Sequence, residues 1–470
     1  MQELLGLTLI ELTQALRMRK ASPVDVMDAV LARIDATHAD LNAVVAMYDR
    51  DALRRAARAA EERLARGADR PLEGIPLGVK DLEDADGLVT SQGSLPFRDR
   101  VAHRDSTQVE RLRAAGAIVV GKTNAPEFGY TAITKNLVYG VTRSPWNLER
   151  TPGGSSGGSA AAMAANVLPL VTASDGGGSI RIPASFTGTF GLKTSFGRIP
   201  HGPFEHWEYG DTSVFGPLTK TVEDAALFMD QVVGVSPHDA NSLPHPGISY
   251  LDTVRRPLPS GLRIGYSPDL GYAVVQSDVA AAVDEAVRVF EKLGHHVERI
   301  NGGPPQLGRE WGFLGAFELA ARLHDLLPEQ ESRFGHGFIT GVKMAWQMNP
   351  EIWGKQAHMR ARLNDWCAEL FGRVDLLVTP TVPYDPPPAK GPFPEETEGR
   401  KQVLAGVASF TIPFNLSWHP AATVRVGLSR AKLPIGMQIV GPRHRDDLVL
   451  QAARAFERER PWHPVWPTTW

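Results

Sequence analysis

Gly153-Gly154-Ser155-Ser156-Gly157-Gly158-Ser159, the apolar runs 160–165 and 167–171, and Ser174-Asp175-Gly176-Gly177-Gly178-Ser179-Ile180-Arg181-Ile182-Pro183 form the stretch on which the fold reading turns. A flexible Gly/Ser linker would not alternate with buried segments in this way. Glycines this dense let main-chain N–H groups converge on one point, because no Cβ atoms block the approach. Such a nest suits an anion, either a phosphate or the oxyanion that develops on an attacked carbonyl. The phosphate motifs fail on their own terms. Neither glycine run is followed by Gly-Lys-Ser/Thr, and Arg181 stands where the last glycine of a dinucleotide fingerprint belongs. Residues 153–157 match the G-x-S-x-G elbow in form, but that elbow follows a strand, whereas residues 143–152 are polar and turn-like.

Outward from this centre, helix and strand alternate, which argues for an α/β fold. Upstream, Thr8 with Glu11, and Ser22-Pro23 with Asp25, each place a capping hydroxyl before an acidic residue and an apolar periodic run, so two helices are predicted to open the chain. A charged helix is predicted over 51–66, and the buried strand Ile75-Pro76-Leu77-Gly78-Val79 ends at Lys80. A cation just beyond an apolar strand is less readily a solvated surface group than one on a polar helix. A helix over 106–115 and a strand over 117–120 lead to a second such cation, Lys122, which competes evenly with Lys80 on pattern alone. Downstream, strands are predicted over 262–266, 296–300, 375–379 and 435–440, with a helix over 277–293. The Pro-rich stretches 236–259 and 380–394 read as surface connections between elements of one domain.

Composition narrows the class. With 43% hydrophobic and 22% charged residues among 470, a sizeable core is expected. A formal charge of -3 gives no electrostatic reason to expect a nucleic acid or an anionic membrane as partner. The single cysteine, Cys367, sits in an amphipathic helical pattern and has no internal disulfide partner; together with an N-terminus lacking a basic segment before an apolar run, this points to the cytoplasm. The fourteen histidines form no metal-binding motif, so neither a metal nor another cofactor is expected, and His201 with His206 reads as a solvated loop pair.

Gly78-Val79-Lys80-Asp81, the GGSSGGS run and the Asp-Gly-Gly-Gly-Ser-Ile-Arg-Ile-Pro run, in that order, resemble the amidase signature family. The likeness extends from about residue 74 to 200 and resumes at Thr411-Ile412-Pro413-Phe414-Asn415 and Leu433-Pro434-Ile435-Gly436-Met437-Gln438. It implies a single domain over 1–470, with a signature core at about 74–200 and variable substrate loops at about 201–215 and 300–400. It also implies a mixed central sheet of about eleven strands covered by helices on both faces. Carried over by position, it makes Ser179 the nucleophile, Ser155 the proton-relaying serine behind a cis peptide, and Lys80 the base. A serine hydroxyl needs such a base. The N–H groups of Gly176, Gly177, Gly178 and Ser179 would form the oxyanion hole. Asp175 and Arg181 read as a brace for the glycine turn, and Ser156 as a hydroxyl bonded to backbone.

Substrate choice in this family lies in the variable loops. Phe128, Gly129, Tyr130, Gly154, Phe204 and Trp207 are candidates for an apolar or aromatic lining, equally readable as loop packing. The resemblance to aryl acylamidases, urethanases and 6-aminohexanoate cyclic dimer hydrolase implies a small-molecule amide as partner, with carbamates and esters as further substrates, and a monomer or homodimer. Gly176 departs from the Thr, Ile or Ser common in the family, Thr187 from a common cysteine, and Trp418-His419 from a small pair. The alternative is the glutaminase component of a glutamyl-tRNA amidotransferase complex. The acidic residue that its pattern carries is missing from Val407-Ala408-Ser409-Phe410.

Overall fold

The computed structural model describes residues 2–67, 70–203 and 211–462. The two opening helices, Leu9–Arg17 and Pro23–Leu41, start at the predicted capping boxes. Thr8 Oγ1 accepts from Glu11 N–H at 3.1 Å while Glu11 Oε2 accepts from Thr8 N–H at 2.8 Å, so two otherwise orphaned donors are satisfied reciprocally.

The strands are β1 (Val44–Met47), β2 (Pro76–Lys80), β3 (Ile118–Thr123), β4 (Leu170–Val171), β5 (Phe190–Lys193) and β6 (Leu218–Thr219), followed by β7 (Arg263–Tyr266), β8 (His296–Arg299), β9 (Leu376–Pro380), β10 (Ala421–Leu428) and β11 (Pro434–Val440). They form a four-stranded sheet in the order β1-β3-β2-β4 and a seven-stranded sheet in the order β6-β5-β10-β11-β9-β7-β8. In the first, β3-β2-β4 run parallel and β1 antiparallel. In the second, pairing is antiparallel from β6 to β9 and parallel from β9 to β8.

The mixed α/β class is as expected, but one continuous sheet of about eleven strands is not: the larger sheet has seven. The break falls where β4 runs on into Ser174–Asp175, which pairs with Val214–Phe215 just ahead of β6. Gly216 N–H still reaches Ala173 O at 3.2 Å, but the next residue, Pro217, has no N–H with which to extend the ladder.

Three elements escaped the sequence reading. Strand β10 carries Arg425 and Gly427, which interrupt the apolar pattern, although Arg425 is buried with its guanidinium over the Trp146 ring. Helix Tyr250–Arg255 lies inside the Pro-rich stretch and is capped by Ser249 Oγ. The region around 300–400 is largely helical, not loop, with Gly308–Leu323, His336–Met344 and Pro350–Arg373 as its main elements. Among the described residues no helix is long and apolar enough to cross a membrane.

Long-range polar contacts close the N-terminal segments onto the C-terminal ones. Ile10 N–H donates to Asp224, Val222 N–H to Glu457 on the last helix, and Arg198 pairs with Asp446 at 3.3 Å. Helix Gly157–Ala164 is buried along its whole length because its residues are small. A Cβ on Gly158 would lie 2.3 Å from Asn124 N.

The β1–β3 pairing sets the outer limit of the first sheet. A Cβ on Gly121 would lie 2.1 Å from Ala46 O, a backbone atom that no rotamer change can move. Gly121→Ala is expected to cost roughly 1–3 kcal/mol through overpacking, read as a lower urea midpoint.

Candidate active site

The sheet topology puts the carboxyl ends of β2 and β4 side by side, a position where α/β sheets commonly bind ligands. Lys80, the last residue of β2, is 1% exposed, and its backbone N–H is fixed by Thr172 Oγ1 at 3.0 Å. Its ammonium nitrogen lies 2.8 Å from Ser155 Oγ, 2.9 Å from Ser174 Oγ and 3.2 Å from Ser174 O. Ser155 stands just ahead of helix Gly157–Ala164, and the Gly154–Ser155 peptide is cis. Ser156 Oγ donates to Ser174 O at 3.3 Å, and Ser156 N–H donates to Ser179 O at 3.2 Å. The two serine runs of the sequence are therefore in contact, and Ser155, Ser174 and Ser179 line the same cavity.

The glycine turn between them is braced from behind. Asp175 and Arg181, both with fully buried side chains, pair at 2.9 Å and 3.0 Å. Arg181 also donates to Thr411 O and Gln438 Oε1, and Asn415 donates to both the side chain and the carbonyl of Asp175. Burial alone would raise the Asp175 carboxyl. The Arg181 guanidinium, Lys193 and the Asn415 amide outweigh it and hold the group well below the usual carboxylate range.

This brace changes the expected oxyanion set. Gly178 N–H donates to Asp175 Oδ1 at 2.7 Å, so Gly178 is committed to the turn, and Gly176, Gly177 and Ser179 remain as candidates. Gly178 has φ 130°, and a Cβ there would meet Thr411 Oγ1 at 2.5 Å, so both conformation and space require glycine. At Gly177 a Cβ would lie 2.4 Å from the Trp311 ring, while Gly176 has ordinary clearance, with its nearest neighbour at 3.8 Å. Trp311 Nε1 donates to Gly176 O at 2.7 Å and Thr411 Oγ1 to Gly177 O at 2.6 Å, so the carbonyls face the brace.

Of the expected substrate residues, Phe128 and Gly129 line the cavity, together with Trp311, Glu318, Leu319 and Arg322. A Cβ on Gly129 would come 3.2 Å from Ser155 Oγ, which keeps this wall clear of side chains. Tyr130 and Gly154 are not part of the lining. The Tyr130 ring meets Phe338 edge-on at 5.5 Å, and Gly154 packs against the backbone of Thr131 and Ala132. Phe204, Trp207 and His206 lie outside the described residues.

The chain is matched over residues 25–450 by the profile of the family described as Amidase. It belongs to that family. It is 35% identical to an acylamidase of Rhodococcus erythropolis, across 98% of this chain and 97% of that one. It is 32% identical to the glutamyl-tRNA(Gln) amidotransferase component of the same family from Geobacter metallireducens, across 98% of this chain and 99% of that one. A solved bacterial aryl acylamidase of the amidase signature family superposes with a TM-score of 0.91 at 30% identity, covering 97% of this chain and 96% of that chain. The chain is an amide C–N hydrolase of the amidase family.

Within this amidase the rival lysine is structural. Lys122 donates to Glu83 O and, at 3.2 Å, to Thr90 Oγ1. Asp81, next to Lys80, accepts from Ser91 and Gly93 and so holds the loop whose Gln92 lines the cavity. Burial raises the Cys367 thiol to about 11, which suits a packing role. His201 is not solvated; it stacks on Phe215 at 4.1 Å, and burial lowers it to about 4. Trp311, Glu318, Leu319 and Arg322 were not foreseen as lining, because their helix carries no motif and reaches the site only through tertiary packing.

Arg181→Met would strand a buried carboxylate and is expected to cost about 3–5 kcal/mol at neutral pH. The Asp175 carboxyl is depressed in the folded protein, so its stabilisation is present above the ordinary carboxylate range and lost as pH falls through its folded value. In the variant that carboxyl loses its partner and takes up a proton more readily. The gap between the two urea midpoints should therefore narrow as pH is lowered.

Proposed function

We propose that this amidase hydrolyses aryl and alkyl amides, and with them carbamates and esters, through a serine acyl-enzyme intermediate. The observation that carries the reading is the 2.8 Å contact between Lys80 and Ser155 in the wall of the cavity that Ser179 also lines. In this mechanism Ser179 Oγ attacks the carbonyl carbon and passes its proton to Ser155 Oγ, while Ser155 passes its own proton to an uncharged Lys80 amine. Burial disfavours the ammonium form, and the neighbouring hydroxyls can donate to the free amine. The oxyanion is held by N–H groups from Gly176, Gly177 and Ser179, one such donor being worth roughly 3 kcal/mol in the transition state. Collapse breaks the C–N bond, and the departing nitrogen takes the proton back from Lys80 through Ser155. Water then releases the acyl group by the same relay.

The likeness to acylamidases supports an apolar or aromatic amide, as does a lining that includes Phe128, Leu319 and Trp311. The glutamyl-tRNA(Gln) amidotransferase component is a relative at similar identity, but the segment 407–410 ahead of Thr411 offers no carboxylate to anchor the charged end of glutamine. The signature core, together with the helices between 308 and 373, acts in this reading as one catalytic domain.

Ser179→Ala and Lys80→Met should each lower turnover of 4-nitroacetanilide by at least about a thousandfold. Labelling by a fluorophosphonate probe should be lost with Ser179→Ala. Undiminished hydrolysis by a folded Ser179→Ala protein, or turnover of glutamine alone, would overturn the assignment.

A further inference from the structure

The catalytic cavity is small, about 50 Å³. That volume admits a reacting carbonyl and little else, since small-molecule sites run to roughly 300–1,000 Å³. A cavity of about 530 Å³ lies on the other side of helix Gly308–Leu323, against helix Pro350–Arg373. The two share Glu318 in their walls.

The larger cavity is mostly apolar, with Leu307, Leu314, Trp353, Ala357, Ala361 and Leu416 around it. Its mouth is aromatic: Trp353 is 51% exposed, and its ring lies 6.3 Å from that of Phe317, itself 44% exposed. Gln356 lines the same space and is 6% exposed. Neither its Nε2 nor its Oε1 has a hydrogen-bond partner among the described residues. A buried amide without a partner is costly, and a polar group set in an apolar pocket is the usual means of orienting a ligand. Other polar groups in the wall are already engaged. Arg360 donates to Leu416 O and to the Asp211 carboxylate and sits over the Trp418 ring, and Asn364 accepts from Arg443. Glu310 and Glu318 add negative charge, which disfavours an anionic guest.

We propose that this cavity is a distal substrate pocket, which seats an apolar tail carrying a second, neutral amide or carbamate group. The Gln356 side chain offers one acceptor and two donors, and a secondary amide presents the matching N–H and C=O. The tail passes Glu318 while the scissile carbonyl rests at Ser179. The pocket therefore rests on the acyl-transfer reading for its role in catalysis, but its binding can be measured without turnover.

Two series of acyl 4-nitroanilides of graded chain length, one ending in an acetamido group and one in an isosteric alkyl group, separate the alternatives. The ratio of kcat/KM between the series should favour the acetamido tails at least about tenfold at the best length, and should fall towards unity in Gln356→Leu. A ratio that is the same in both proteins overturns the proposal. In calorimetry, the unreactive probe N-hexylurea should bind Gln356→Leu about tenfold more weakly than wild type. Equal affinity overturns the proposal. Should Gln356→Leu fail to fold, Trp353→Ala at the exposed mouth replaces it in the titration, where unchanged affinity has the same meaning. Absence of anilide turnover in wild type would count against the acyl-transfer mechanism, while the N-hexylurea titration still judges the pocket.

Discussion

The buried pair of Asp175 and Arg181 is the constraint on which the site depends. Neither side chain touches solvent, and between them they bind Gly178, Ile180, Thr411, Asn415 and Gln438. Those partners come from the glycine turn, from the short helix Ile412–Leu416 and from the second sheet. One ion pair therefore locks the turn carrying Ser179 to elements more than two hundred residues away in sequence. A buried ion pair is poor evidence of stability in itself, because desolvation offsets most of the Coulombic gain. Its value here is geometric, since it holds a glycine-rich backbone that would otherwise be free.

Lys80 illustrates the complementary device. A flexible side chain is made specific by ending a strand buried on both faces and by three oxygen contacts from two serines. The parallel strands β2, β3 and β4 bring it to the sheet edge where Ser174 follows β4. The discontinuity between the two sheets falls at the same place, around Ala173 and Pro217. The reactive groups thus sit at the seam, where backbone leaves regular pairing and side chains have room to converge.

The two cavities divide the work of recognition in unequal shares. The catalytic one is lined by backbone and by small residues, so it can discriminate little beyond the reacting group. Its neighbour has the volume and the aromatic mouth to recognise the rest of a substrate. Helix Gly308–Leu323 serves both, with Trp311 against the glycine turn and Leu314 in the larger space.

Much of this was legible in the residues alone. Capping boxes at Thr8 and Ser22, the strand leading to Lys80 and the role of Asp175 and Arg181 as a brace are local or motif-borne, because hydroxyl caps, apolar runs and glycine turns act over a few residues. The choice of Lys80 over Lys122 came from likeness to a family, since both end similar strands. Only tertiary packing showed Lys122 bound to Glu83 and Thr90 and Lys80 facing Ser155. Folding also decided that Gly178 spends its N–H on Asp175, that Tyr130 turns to Phe338, and that Trp311 and Gln356 matter at all. Those outcomes depend on contacts between distant segments, for which neither periodicity nor motif carries a signal. The sequence determined which chemistry the chain could hold; the arrangement of helices 308–323 and 350–373 against the sheets decided what space surrounds it.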